Sequence, residues 1–481
     1  MGFLGRVFAM ARSSDRPPSC GSASRGAACL LGAPMRFLSR FTGPVFILCF
    51  APLFAAEPMP LRFAFGSDRV AAPGFTAVTP EDTFSRERGF GFEPGAKLTA
   101  LPGSGAAALR GGFVTGGAPF RFTARVPAEG NYRVTVTLGN ATGDTTTTIK
   151  AELRRLMAEN VVTRAGASVR VSFTVNTRTP RIAPRDGLAA GEVRLKAPRE
   201  SVQEAWAWDD ALTLEFSGAR PVVSAIEIEA VDVPVIFLLG DSTVCDQSKE
   251  PYNSWGQMFT RWFQPAVAIA NHGESGETYR DSIGRRRLDK ILSVMRPGDW
   301  LIMQFGHNDQ KQIAAGTGGP FTTYQAEIKR HVEAVRAHGG HAIIVSPMER
   351  RGFDAAGKVR PSLIEYADAS RQSARELGVP FVDLNALSKP FYEALGPERS
   401  ARAFATAASG QTDNTHHNNY GSYQLAKAVV PALRAQQLPL AKWIVDDFPG
   451  FDPAKPDDPE KFAVPASGDF TNERPLGDEI R

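Results

Sequence analysis

Two patterns of apolar and polar positions divide the chain, and they meet near Val233. Between residues 57 and about 232 the dominant pattern is alternation. Residues 120–126 read FRFTARV, 132–138 YRVTVTL, 169–175 VRVSFTV and 225–231 AIEIEAV, with shorter runs at 192–195 and 212–216. A period of two sends one side of each segment into a core and the other to water, so these are predicted strands. Gly, Pro, Asn and Asp separate them, as in Pro127-Ala128-Glu129-Gly130-Asn131. Strands at such short intervals predict an all-β sandwich over 57–232. Residues 151–158 fit a short helix or a further strand.

After Val233 the apolar runs become continuous, at 235–239, 267–270, 300–305, 341–346 and 380–384. Amphipathic stretches alternate with them, at 282–295, 322–338, 362–377 and 420–433. Fully apolar strands separated by helices predict a parallel sheet covered on both faces, over about 233–445. Such sheets bind ligands at the carboxyl ends of their strands. The tail, 446–481, is rich in Pro and Asp and is expected to run over the surface as an extension. No internal repeat is visible.

The first 56 residues stand apart. Residues 41–54 are apolar, preceded by Arg36 and Arg40 and followed by Ala55-Ala56. That order of basic, apolar and small is a secretory leader, and the apolar run is shorter than the ~20 residues that span a bilayer. The expectation is export, periplasmic or extracellular, with a mature chain that starts near Ala56 or Glu57 and has no membrane span. Met35 offers an alternative start. The leader changes the charge argument. Its six arginines and one aspartate exceed the +4 of the whole chain, so the remainder is formally −1 and nothing points to nucleic acid. Of the four cysteines only Cys245 lies outside the leader, which leaves no intramolecular disulfide.

Four short segments carry chemistry. Gly240-Asp241-Ser242 follows the first apolar strand, where a backbone N–H near a helix start can face a developing oxyanion. Alone the tripeptide reads as a turn. Asp413-Asn414-Thr415-His416 comes about 170 residues later. A serine needs a base to take its proton, an imidazole titrates in the right range, and a carboxylate on its other nitrogen fixes the tautomer. Phe305-Gly306-His307-Asn308-Asp309 places an amide donor at a strand end, and Asn271-His272-Gly273-Glu274-Ser275-Gly276 places glycine N–H groups at another. Each alone is also a plain loop.

In this order and spacing the four segments resemble the blocks of the SGNH (GDSL-type) hydrolases, over roughly 233–435. Gly240-Asp241-Ser242-Thr243-Val244, Ser254-Trp255-Gly256, Gly306-His307-Asn308-Asp309 and Asp413-Asn414-Thr415-His416 are most similar to the rhamnogalacturonan acetylesterases. Residues 57–232, with Arg154-Arg155-Leu156 and Trp208-Asp209-Asp210, resemble the galactose-binding-like β domain found ahead of some bacterial esterases of this kind. The resemblance implies a flavodoxin-like three-layer hydrolase domain preceded by the β-sandwich. It implies an acyl-enzyme mechanism: Ser242 as nucleophile, His416 as base, Asp413 orienting His416, and Ser242, Gly276 and Asn308 holding the oxyanion. It implies no metal or organic cofactor, and O-acetyl groups of a pectic, acidic polysaccharide as substrate. Trp255, His307 and Arg350 are candidate substrate contacts; Trp255 is either core or a sugar platform.

Other residues compete. His417 adjoins His416 as a rival base, and Cys245 is a small buried filler or a rival thiol. Arg285-Arg286-Arg287 forms a solvated helix face or, with Lys311, Arg350 and Arg351, faces a polyanion. An acetylxylan esterase or a lipid esterase would use the same triad, although no apolar lid segment is visible. A carbohydrate-binding protein with an inert hydrolase domain is the reading from a different class.

Overall fold

The computed structural model describes residues 60–69, 71–102, 112–139 and 142–475. The expected leader, with Cys20, Cys29 and Cys49, lies outside the described residues.

The alternating segments build a sandwich. Its first layer runs Thr76–Val78, Leu61–Phe65, Ala225–Ala230, Gly130–Gly139 and Ser168–Thr177. The second runs Phe90–Phe92, Phe120–Arg125, Ala211–Ser217, Thr145–Ala151 and Arg155–Thr163. Inward residues of both layers form one core, in which Phe122 packs edge-on to Phe63 and Phe65 at 5.0 and 5.1 Å. The ambiguous stretch 151–158 resolves as a tight turn followed by a strand. Glu152 and Arg154 take positive φ of 54° and 62°, which turns the chain into Arg155–Thr163.

Downstream, the parallel strands lie in the order Ala268–Asn271, Val235–Gly240, Trp300–Gln304, His341–Val345 and Phe381–Val382. That is the flavodoxin-like order 2-1-3-4-5. The continuous apolar runs follow from burial on both sides. Ile236, Leu238, Ile302 and Ile343 face one core, under Trp255–Phe259, Leu384–Arg399 and Asn419–Ala435. Val235, Phe237, Leu239, Leu301 and Ile344 face the other, under Arg287–Val294, Gln325–Ala337 and Ile364–Leu377. The fold is thus an α/β three-layer domain preceded by a β-sandwich.

Three features differ from the sequence expectation. The helix expected over 282–295 is two pieces, Tyr279–Gly284 and Arg287–Val294, because Arg286 takes φ 64° between them. The helix Leu384–Arg399 was hidden by Pro390 and Pro397; a kink at Gly396 (φ 75°) accommodates the second. The two sheets also join: Val175 pairs with Ile269 in parallel, so the first sandwich layer and the parallel strands form one ten-stranded sheet. The tail does more than cover surface, since Phe448, Val464 and Ser467 are buried.

Candidate active site

The parallel sheet fixes the site by ending three strands, Val235–Gly240, Ala268–Asn271 and Trp300–Gln304, on one edge. Val235–Gly240 stops at Gly240, and the chain turns through Asp241 into Ser242. Asp241 ties this turn: its carboxylate accepts from the N–H and the hydroxyl of Thr243 at 2.9 and 2.8 Å and lies 3.2 Å from Nδ1 of His307. Burial works against the Asp241 charge, but His307 and the Thr243 donors hold its carboxyl below the usual range.

Ser242 Oγ lies 2.9 Å from Nε2 of His416, and Nδ1 of His416 lies 3.1 Å from Oδ2 of Asp413. Hydroxyl, imidazole and carboxylate are therefore in series, all three buried. The carrying segment is a short hairpin strand, Thr412–His417, paired with Phe404–Thr406, where an open loop was expected. Asp413 Oδ1 accepts the N–H groups of Thr415 and His416 at 2.7 and 3.0 Å, which curls the three-residue step so that both side chains meet. Burial opposes the Asp413 charge; the His416 bond and these two N–H groups outweigh it and keep the carboxyl far below the usual range.

The other two segments reach the same edge. Gly276 takes φ 74°, a left-handed conformation that suits glycine. Asn308 Nδ2 donates to the carbonyl of Glu277 at 3.1 Å, and its Oδ1 accepts from Lys311 at 3.1 Å. The amide is thereby oriented against the turn after Gly276, with a second N–H to offer. Among the described residues no three His, Cys, Asp or Glu side chains are grouped as metal ligands would be.

The competing residues find other places. His417 is in the core: Nε2 is 2.8 Å from the Tyr392 hydroxyl, and burial, then the neighbouring His416, pushes its pKa down to about 3. Cys245 is buried, with its thiol pushed well up by burial and then by Glu274, so it is a filler. Trp255, a candidate substrate contact, is 1% exposed and is corrected to a core residue. Its indole N–H donates to Gln304 at 2.7 Å, and Gln304 donates to Thr243 Oγ1 at 2.7 Å, so Trp255 steadies the residue after Ser242 and presents no face to a sugar. The glycine beside it, Gly256, lies where a Cβ would strike the Val244 carbonyl. His307 is buried behind Asp241, and among the described residues its Nε2 has no hydrogen-bond partner. Arg350 binds Thr415 Oγ1 (3.1 Å), Gln310 Oε1 (2.9 Å) and the His307 carbonyl (3.3 Å), at the rim of the triad.

The arginine run is not one solvated face: Arg287 is buried, while Arg285 is 36% exposed. Arg287 is buried and clamps Glu200 at 2.9 and 2.6 Å and Glu277 at 2.8 Å. Arg286 pairs with Asp289 at 2.8 Å and Arg285 donates to the Arg194 carbonyl at 3.0 Å. Arg351 donates to Ser400 Oγ and the Pro397 carbonyl.

Sequence reasoning missed several neighbours of the triad. Gln247 donates to the Ser242 carbonyl at 2.7 Å. Tyr252 stands edge-on to the His416 ring, centroids 5.8 Å apart. Arg474, from the tail, reaches within 3.3 Å of Asp413 Oδ2. Arg154, from the turn of the β domain, donates to the carbonyls of Gln247 and Tyr252 at 3.2 and 2.8 Å and pairs with Glu250 at 2.5 Å. The Arg154-Arg155-Leu156 motif thus supports the loop that carries Gln247 and Tyr252; no local pattern marks Arg474.

An ester hydrolase that works through a serine is the class of protein that this fold and this edge define. Residues 238–425 match the GDSL-like lipase/acylhydrolase family, and residues 61–164 match the galactose-binding domain-like family of β-agarase and YXIM-type esterases. The chain is 37% identical over 220 residues to the rhamnogalacturonan acetylesterase RhgT of Bacillus subtilis, which spans 44% of this chain and 94% of RhgT. It is 26% identical over 408 residues to YxiM, an uncharacterized esterase of the same organism, across 81% of this chain and 95% of YxiM. A crystal structure of the Bacillus subtilis YxiM protein covers 79% of this chain and 99% of its own, at 23% identity and a TM-score of 0.42. The chain belongs to the GDSL (SGNH) esterase family, with a galactose-binding-like domain at its amino-terminal side.

Proposed function

We propose that the protein is a carbohydrate esterase that removes O-acetyl groups from an acidic pectic polysaccharide of the rhamnogalacturonan type. The observation that carries the mechanism is the series Ser242 Oγ, His416 Nε2, His416 Nδ1, Asp413 Oδ2, at 2.9 and 3.1 Å. Ser242 attacks the acetyl carbonyl while His416 takes its proton. The carbonyl oxygen gains charge opposite the N–H groups of Ser242 and Gly276 and the amide of Asn308. His416 returns the proton to the departing sugar hydroxyl, and water then releases acetate from the acyl-enzyme by the same route. The substrate rests on the similarity to RhgT. The inert-binder alternative is disfavoured because all three triad groups are present and in register. In this reading residues 57–232, 233–445 and 446–481 are sandwich, hydrolase domain and extension, and residues 1–56 direct export. The test is acetate release from acetylated rhamnogalacturonan, acetylated xylan and a small aryl acetate. Preference for xylan would move the substrate, and no release from any of them would remove the reading.

Two further results are expected. Asn308→Ala lowers turnover by ~10²–10³ with little change in substrate affinity, as for an oxyanion donor; a change mainly in KM would make Asn308 a binding residue. The acid limb of the pH profile has unit slope in log kcat/KM. Asp413 is held ionised far below the range where an imidazole titrates, so acid removes activity through one proton, on His416. A slope of two would show a second group at work.

A further inference from the structure

The peptide unit between Ser275 and Gly276 carries one of the N–H groups placed opposite the developing oxyanion. Among the described residues, neither this N–H nor that of Ser242 donates to a backbone carbonyl. Gly276 sits at φ 74°, and glycine has more backbone freedom than any other residue, so the direction of its N–H needs a restraint. A peptide unit is planar and trans, with its carbonyl and its N–H pointing opposite ways. Whatever grips the Ser275 carbonyl therefore aims the Gly276 N–H.

That grip comes from the β domain. Lys196 Nζ donates to the Ser275 carbonyl. Lys196 is itself anchored, because its N–H donates to Glu200 Oε2 at 2.8 Å and Arg287 holds the same oxygen at 2.6 Å. Three residues on, Arg199 donates to Ser275 Oγ at 2.9 Å and to Gln247 Oε1 at 3.2 Å. Gln247 in turn donates to Ser275 Oγ at 3.2 Å and to the Ser242 carbonyl at 2.7 Å. Glu204 and Glu274 pin Arg199 at 2.7 and 3.0 Å. The buried Ser275 is thus held at its carbonyl and at its hydroxyl by two cations from one short segment. That segment lies outside both family-matched stretches, 61–164 and 238–425.

An ammonium on a carbonyl does more than orient it. A charge-assisted bond polarises the peptide and strengthens the N–H at its other end as a donor. Glu277 lies within ion-pairing range of Lys196, but at 3.7 Å, and it is clamped by Arg287 at 2.8 Å.

We propose that Lys196 is a positioning residue for the oxyanion site: from the β domain it aims and polarises the Ser275–Gly276 peptide, while Arg199 fixes Ser275 by its hydroxyl. This rests on the esterase reading and deepens it, since a donor of the hydrolase domain is then set by its neighbour.

The experiment is hydrolysis of a small aryl acetate by the full chain, wild type and Lys196→Met, with kcat and KM separated and kcat/KM followed across pH. Lys196→Met is expected to lose about 10–10²-fold in kcat, less than the ~10²–10³ of a direct donor, with KM within about two-fold, because a weakened oxyanion contact is felt in the transition state. The acid limb should keep its position, since His416 and Asp413 are untouched. Lys196→Arg, which keeps a cationic donor, should recover most of the rate. Lys196→Gln carries the same readings if Lys196→Met does not fold. An unchanged kcat, a change in KM alone, an acid limb displaced along with the rate, or no recovery in Lys196→Arg would overturn the inference. A wild type inert on the aryl acetate would instead remove the esterase reading, and this inference with it, so the two failures are distinct.

Discussion

Replacing Ser242 with alanine is expected to lower turnover by about 10⁴–10⁶, and His416→Ala by a similar factor. The two losses should not multiply. Without the hydroxyl the imidazole has no proton to take, and without the imidazole the hydroxyl is a poor nucleophile, so the double variant should match the worse single one. Asp413→Ala should cost less than the other two, because nucleophile and base both remain, although its loss also unties the turn and frees His416 to rotate. A serine-directed phosphonate should label Ser242 alone. A Ser242→Ala enzyme of normal rate, or label on another residue, would end the mechanism.

The second large effect concerns stability. Arg287 lies in the hydrolase helix Arg287–Val294, Glu200 in the β domain, and Glu277 one residue past Gly276; Trp208 Nε1 completes the cluster by donating to Glu200 at 3.0 Å. Burial works against the Arg287 charge, but Glu277 and Glu200 more than offset it and hold its proton more tightly than in an exposed arginine. Arg287→Ala would remove the nearest counter-charge from two buried carboxylates and leave Glu277 only its longer pairs with Arg285 and Lys196, at 3.6 and 3.7 Å. Removing one partner of such a pair costs ~3–5 kcal/mol. The expected result is a large drop in melting temperature, partly recovered when Glu200→Gln and Glu277→Gln are added. Turnover of the folded fraction should fall as well, because Asn308 is oriented by the Glu277 carbonyl. A variant that melts like wild type would show that the cluster contributes little.

Much of this was legible in the sequence, for reasons that particular residues show. The parallel strands were readable because Ile236 and Leu238 face one core while Val235, Phe237 and Leu239 face the other, which leaves an unbroken apolar run. The two segments that bring Ser242, His416 and Asp413 together were readable because Gly240-Asp241-Ser242 and Asp413–His416 each hold their geometry within a few residues, through Thr243, Thr415 and the carboxylates themselves. What stayed hidden depends on distant partners. Trp255 stayed open between core and sugar platform because nothing local tells of Gln304. Arg287 looked solvated because its two carboxylates are 10 and 87 residues away. Arg474 carries no pattern at all; only the folded tail brings it to Asp413.

The pairing of Val175 with Ile269 has a consequence for any attempt to cut the protein at residue 233. In the intact chain the strand Ala268–Asn271 is an interior strand, flanked by Val235–Gly240 and by Ser168–Thr177. A fragment starting at residue 233 would turn it into an open border of apolar residues with unsatisfied backbone groups, the kind of border that recruits another chain. The β domain therefore acts as a covalently attached edge protector. Its removal should show itself as concentration-dependent self-association, in addition to the loss of Glu200 from Arg287 and of Arg154 from the loop of Gln247 and Tyr252.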